Sequence, residues 1–92
     1  MKMLRTHEIK LDIEFCDAVL YGDKTFEIRF NDRGYQKGDR IRFLPVKNCE
    51  PFDHKIIGHR YLITYVLCGW GLKEGYVAIG IKDEQPLPPC LR

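Results

Sequence analysis

Apolar and polar residues alternate along several short stretches of this chain, and glycine or proline residues separate most of these stretches. The first alternation, over residues 7–11, is typical of a half-buried strand. Asp12 then predicts the N-cap of a short helix over residues 13–21. The apolar face of this helix would carry Phe15, Cys16, Val19 and Leu20. Gly22 follows, at a position where a residue in the left-handed conformation ends many helices.

The clearest strand covers residues 25–30, where the alternation is strict. Successive side chains of a strand point to opposite faces, so the three apolar side chains would share the core face. These are Phe26, Ile28 and Phe30. The opposite face is expected to line one shared polar cavity, formed by Thr25, Glu27 and Arg29.

The remaining alternations predict three further strands. One carries Ile41 and Phe43 and is expected to end at Pro45, because proline cannot donate to a sheet ladder. A loop over residues 46–55 would lead into a long strand over 56–68, with His59, Tyr61, Ile63, Tyr65 and Leu67 on one face. Since both faces of that strand are apolar, it is expected at the centre of the sheet. Residues 69–75 predict a glycine-rich loop, and residues 76–82 predict the last strand.

Five short strands with one early helix predict an α+β fold built on a small, strongly bent barrel of five to six strands. The pattern alone does not separate an OB-type barrel from an SH3-like one. A chain of 92 residues is sufficient for one domain, predicted over residues 7–82, with a lead over 1–6 and a proline-rich tail over 83–92.

Composition narrows the class of protein without identifying a partner. The net charge of +2 is too small to establish nucleic-acid binding by itself. The four cysteines form no C-x-x-C pair, and His54 and His59 lack a third ligand, so neither a metal site nor a cofactor is predicted. With neither a signal peptide nor a long apolar segment, the sequence predicts a cytoplasmic location with free thiols and no membrane partner.

Residues 22–29, Gly-Asp-Lys-Thr-Phe-Glu-Ile-Arg, fit the pattern G-x-K-x-x-E-x-R. This segment resembles the hallmark of the ASCH family of PUA-like domains, in which the motif straddles a helix end and the following strand. The turn at Lys37-Gly38-Asp39 and the run from Gly71 to Val77 resemble an uncharacterised phage and bacterial branch of that family. The resemblance covers residues 7–82 and implies a PUA-like barrel.

The resemblance also implies a function, the binding of RNA or a nucleotide-like ligand in a cleft lined by the motif. Its residues here would be Lys24, Thr25, Glu27 and Arg29. One small bacterial group of the family hydrolyses acetylcytidine with a Lys, a Thr and a Glu. If this chain were such an enzyme, the catalytic candidates would be Lys24, Thr25 and Glu27. The position of the catalytic Thr in that group, however, aligns with Glu27 of this chain. A third alternative is a protein-interaction module that uses the proline-rich tail.

Residue chemistry supports the binding hypothesis but leaves alternatives open. Arg29 could hold a phosphate or a base edge while Glu27 accepts from an exocyclic amine, or the two could form a purely structural ion pair. The basic residues around one predicted hairpin could follow a phosphate backbone. They are Arg33, Lys37, Arg40 and Arg42. Trp70 could stack on a base or could anchor its loop to the core.

Overall fold

The computed structural model describes residues 3–85 and contains six strands, one α-helix and one turn of 3-10 helix. The elements are β1 (Thr6–Asp12), α1 (Ile13–Leu20), β2 (Phe26–Phe30), β3 (Arg40–Lys47), β4 (Glu50–Pro51), the 3-10 turn (Lys55–Gly58), β5 (Tyr61–Cys68) and β6 (Tyr76–Asp83). No helix within residues 3–85 is long and apolar enough to cross a membrane. Residues 86–92 of the predicted tail lie outside the described residues.

The strands form one sheet in the order β1-β3-β5-β6-β2, with β4 paired to the end of β3. β1 pairs with β3 in parallel, and the other pairings are antiparallel. The α+β prediction is confirmed, but the sheet is not closed into a barrel, because no ladder joins β1 to β2 in the described part of the chain. Side chains of Arg29 and Arg33 instead donate to β1 carbonyls that such a ladder would use.

The helix forms where the sequence predicts it and covers one side of the sheet. Asp12 caps its N-terminus, accepting a hydrogen bond from the Glu14 backbone N–H at 3.0 Å. Cys16, Val19 and Leu20 are buried. Burial, with smaller contributions from nearby carboxylates, raises the pKa of Cys16 to about 11, so this residue stays a neutral thiol at physiological pH.

Replacing Asp12 by alanine is expected to lower the free energy of unfolding by about 0.5–2 kcal/mol, the usual effect of losing an N-cap. The Asp23→Ala variant is the matched control, since Asp23 is an exposed carboxylate in the turn that follows the helix. Urea denaturation measures both variants. Equal losses in the two would contradict a capping role for Asp12.

The third and fourth predicted strands differ from the structure in detail. β3 continues through Pro45 to Lys47. Beyond Ile41 it has no pairing with β5, so a residue without an N–H is tolerated there. Residues 55–58 form the 3-10 turn instead of the start of β5. β5 does lie at the centre of the strand order, as predicted.

A bulge in β5 between Ile63 and Tyr65 changes which side chains face the core. Tyr61 and Ile63 are buried, but after the bulge Tyr65 is 60% exposed and Leu67 also points outward. The prediction that all five alternate residues of this strand share one face is therefore wrong. One extra residue in the ladder reverses the alternation that follows it.

The most consequential difference lies in β2, where the predicted faces are inverted. Glu27 is 4% exposed, whereas Phe26, Ile28 and Phe30 are each about half exposed. The prediction that these three apolar side chains form the core is wrong. The reason is the register with β6, in which Glu27 pairs with Ile79 and Arg29 with Val77, both core positions. Paired residues of neighbouring strands share a face, so this register turns the charged side of β2 inward.

A second buried polar group joins the start of β1 to the start of β3. Asp39 is fully buried at the end of the predicted tight turn, where its carboxylate accepts from His7 Nε2 at 2.8 Å. It also accepts from the backbone N–H groups of Arg5 at 3.1 Å and Gln36 at 3.3 Å. This carboxylate therefore satisfies three donors from two separate segments.

Candidate ligand-binding site

The site residues of β2 are positioned by the end of α1. Gly22 has φ +83°, the left-handed conformation that glycine adopts without strain. The backbone N–H groups of Asp23 and Lys24 then both donate to the Ala18 carbonyl at 2.9 Å. These bonds end the helix as predicted and fix the start of the strand that carries the motif.

Glu27 lies at the centre of a small ionic cluster. Its Oε2 accepts from Arg29 Nε at 3.0 Å, and its Oε1 accepts from Lys24 Nζ. Lys24 Nζ also donates to the Phe26 carbonyl at 2.8 Å. Two cations therefore hold one buried carboxylate in place, as buried charges require.

The same cluster spans the open edge of the sheet. Arg29 Nη2 donates to the Lys10 carbonyl of β1, and Arg33 Nη1 donates to the Glu8 carbonyl at 3.0 Å. Arg5 in turn donates to the carbonyls of Arg33 and Gly34, at 2.8 and 2.6 Å. The gap between β1 and β2 is thus bridged by guanidinium groups and leaves room for a cleft.

A cleft of about 370 Å³ opens at this point. Its ionic base is formed by Lys24, Glu27 and Arg29. Its walls include Phe15 of α1 and Phe26 of β2, both partly exposed, together with Leu11 and Ile28. Lys24 Nζ lies 5.5 Å from the centroid of the Phe15 ring and 4.9 Å from that of Phe26. The cleft combines two aromatic walls with a charged base.

This arrangement can recognise a flat, polar molecule. A carboxylate offers about four lone-pair positions, so Glu27 can accept further hydrogen bonds in addition to those from Lys24 and Arg29. The guanidinium of Arg29 has five N–H donors, only some of which are used within the protein. Aromatic side chains provide faces on which a planar ring can stack.

The structure separates the other predicted site residues from this cleft. Thr25 lines an adjoining small pocket of about 210 Å³ with Val19 and Tyr61, so the predicted cavity shared by Thr25, Glu27 and Arg29 forms only in part. Arg33 borders a neighbouring open depression that Arg29 also lines.

The predicted backbone contacts on β3 lie farther away. Arg40 forms a two-point ion pair with Glu84, at 3.2 and 3.0 Å, and Arg42 is exposed on the outer side of the strand. Trp70 is 89% exposed at the tip of the β5–β6 loop, so the alternative of a loop anchor buried against the core is wrong.

Sequence reasoning missed the contribution of α1 and β1 to the cleft. The sequence predicts Phe15 on the buried face of the helix, yet it faces the cleft and is 42% exposed. At about 100° per residue, Phe15 and Leu20 lie at the two edges of the apolar stripe that also holds Cys16 and Val19, so the pattern leaves open whether Phe15 faces the core or its border. No group of three or more potential metal ligands comes together within residues 3–85.

Two comparisons relate the chain to known sequences. A family model described as "Domain of unknown function (DUF3850)" matches residues 6–81. A protein of Escherichia phage P2, described as "Uncharacterized 12.9 kDa protein in GpA 3'region", is 44% identical over 39 residues. That alignment covers 42% of this chain and 36% of the phage protein, about a third of its length.

Proposed function

Because the chain belongs to the DUF3850 family, whose function is unknown, we propose from its own residues that the cleft binds RNA or a nucleotide-like ligand. The proposal agrees with the resemblance of residues 22–29 to the motif of ASCH domains, and it includes kinship with their PUA-like fold. It is carried by one observation. A buried carboxylate with two cations forms the base of a cleft whose walls are partly exposed aromatic rings.

A purely structural ion pair explains this arrangement less well. Buried ion pairs contribute little net stability compared with apolar side chains of similar size. A structural pair also gives no reason for Phe15 and Phe26 to stay partly exposed beside it. Ligand binding accounts for both features, since the exposed faces of the rings are removed from water only when a ligand covers them.

Each group has a role in this proposal. A base stacks against Phe15 and Phe26, and Glu27 accepts a hydrogen bond from its exocyclic amine. Lys24 and Arg29 donate to ring or carbonyl acceptors, and Arg33 contacts phosphate. The hydrolase alternative has less support, because Thr25 lines an adjoining pocket that Lys24 borders but Glu27 does not.

Fluorescence anisotropy with a labelled single-stranded RNA, together with calorimetric titration of CMP, AMP and UMP, tests the proposal. CMP and AMP are expected to bind more tightly than UMP, which lacks an exocyclic amine for Glu27. The RNA affinity should fall with salt, with a log–log slope of about −0.7 for each phosphate neutralised on a single strand. Absence of binding for the RNA and for all three nucleotides would refute the proposal. An RNA affinity that does not depend on salt would contradict the phosphate contact.

A further inference from the structure

The outward side chains of β5, β6 and β2 form an exposed apolar face. In the cross-strand register, Tyr65, Gly80 and Phe26 form one row, Leu67, Ala78 and Ile28 form the next, and Tyr76 pairs with Phe30 in the third. None of the outward positions on these three strands carries an acidic residue. The outward side of β1 and β3, in contrast, carries charged side chains that include Glu8, Lys10 and Arg42. The apolar character is thus concentrated in one half of the sheet, and Leu44 of β3 is an exposed apolar side chain in the other half.

The middle strand makes this face a trough. β6 presents Ala78 and Gly80 between the larger side chains of its two neighbours. Since neighbouring strands lie about 4.8 Å apart, the walls formed by β5 and β2 are separated by about 10 Å. A Cβ atom on Gly80 would lie 2.8 Å from Thr64 Oγ1, so the base of the trough has no room for a side chain. The trough is wide enough for a planar ring to lie against the aromatic walls.

Trp70 lies beyond the ends of β5 and β6, in the loop that joins them. Its φ of 54° is unusual for a non-glycine residue, and its neighbours Gly69 and Gly71 also have positive φ values. The Leu72 N–H donates to the Gly69 carbonyl at 3.1 Å and closes this turn. A defined turn therefore holds an indole in solvent, where it is available for stacking.

Cations lie along the border of the face. Lys73 Nζ is 5.9 Å from the centroid of the Tyr76 ring, and Lys24 Nζ is 4.9 Å from that of Phe26. Lys82 is exposed at the outward end of β6. The carboxylates Asp23, Asp32 and Glu74 lie in the turns that flank the face and not on its strands. A second copy of the chain would present these same lysines again, without acidic residues at the outward positions of the three strands to pair with them, whereas a phosphate backbone complements them.

We propose that this face, with Trp70, is a stacking platform for the bases of single-stranded nucleic acid, whose phosphates are contacted by Lys24, Lys73 and Lys82. Exposed aromatic rings combined with bordering cations are the combination by which proteins bind single strands without base-specific hydrogen bonds. The proposal extends the proposed function and rests on it where the two surfaces overlap, because Lys24, Phe26 and Ile28 belong to both the cleft and the platform. A single nucleic-acid strand would place one base in the cleft and the neighbouring bases on the platform.

The test compares a mononucleotide with a short strand. CMP measures the cleft, and a labelled oligocytidylate of about 10 nucleotides, within the usual site size for such surfaces, measures the cleft and platform together. Phe30→Ser and Tyr65→Ser are each expected to weaken oligocytidylate binding roughly 5- to 150-fold while leaving CMP affinity unchanged. Trp70 is the only tryptophan of the chain, so the oligocytidylate should also quench its fluorescence.

The control is Phe52→Ser, since Phe52 is similarly exposed and has Lys47 Nζ at 5.4 Å from its ring but lies outside the platform. This variant should bind the oligocytidylate as the unchanged protein does. Phe30→Tyr should retain binding, because a stacking ring is preserved. Circular dichroism of each variant establishes that it is folded.

The outcomes separate this proposal from the proposed function. Unchanged oligocytidylate binding by both serine variants would overturn the platform and leave the cleft unaffected. Absence of CMP binding, with oligocytidylate binding that remains sensitive to Phe30 and Tyr65, would overturn the cleft but support the platform. A concentration-dependent dimer in sedimentation velocity that Tyr65→Ser abolishes, with no oligocytidylate bound, would assign the face to self-association and overturn the platform.

Discussion

Replacing Asp39 by alanine is expected to lower the free energy of unfolding by about 3–5 kcal/mol, because three donors lose their acceptor and each unsatisfied buried donor costs about 1–3 kcal/mol. The carboxylate is fully buried, and its loss leaves the donors on His7, Arg5 and Gln36 without an acceptor. The free energy of unfolding of a small domain is typically only about 5–15 kcal/mol, so the substitution removes a large part of the total stability. Urea denaturation followed by circular dichroism measures the change.

Two further variants define the cause of that loss. Asp39→Asn retains one acceptor oxygen without the charge and should fall between the unchanged protein and Asp39→Ala. Glu84→Ala removes a carboxylate from an exposed cluster with Arg40 and Arg60, where ion pairs contribute little, so its effect should be much smaller. If Glu84→Ala were as destabilising as Asp39→Ala, burial would not be the reason.

The same group gives the stability a dependence on pH. Burial tends to raise the pKa of Asp39, but the hydrogen bonds from His7, Arg5 and Gln36 outweigh it and lower the pKa from its ordinary value of 3.8. A lowered pKa means that the unfolded state binds the proton first, so this contribution is present above about pH 4 and is lost as the pH falls through the folded-state pKa. The stability of Asp39→Asn should therefore decrease less over this acidic range.

The second large effect is expected at Arg29, whose replacement by alanine should weaken nucleotide and RNA binding roughly 10- to 100-fold. A hydrogen bond to a charged group contributes about 1.5–3 kcal/mol, which corresponds to that range. Arg29→Lys should restore binding only in part, because an ammonium group is a point charge and lacks the planar fork of a guanidinium. Calorimetric titration with CMP measures both variants.

A thermal melt of Arg29→Ala separates binding from stability. Lys24 still holds Glu27 in this variant, so the fold should be retained. Arg60→Ala is the control, since it removes an equal charge from an exposed position outside the cleft. A large decrease in the melting temperature of Arg29→Ala would show that Arg29 is a structural residue. Wild-type binding by a folded Glu27→Gln, Arg29→Gln double variant would show that the proposed cleft chemistry is wrong.

Local sequence patterns were sufficient to predict the helix and the strands, but not which face of each strand is turned toward the core. The cap at Asp12, the stop at Gly22 and the turn before Asp39 are set by neighbouring residues, and all three are confirmed. The orientation of β2 depends instead on its register with β6, about fifty residues away. Alternation predicts the strand, but a shift of one residue in pairing exchanges its two faces.

The candidate site shows the same division. Lys24, Glu27 and Arg29 lie within one short motif, and the structure brings them together. Phe15 and Lys10 join them only because β1 and β2 lie at opposite ends of the strand order and the open edge between them is bridged by arginine side chains. Strand order depends on long-range packing, so no local pattern could have placed these residues at the cleft.

The pairing of β2 with β6 also has a consequence for how the protein is made on the ribosome. The strand that carries the motif is translated before its ladder partner, Tyr76–Asp83, which is the last strand along residues 3–85. Contacts between residues so far apart in sequence form only after the loop between them has closed. A nascent chain that stops before Tyr76 therefore contains the complete motif but lacks the ladder that positions it.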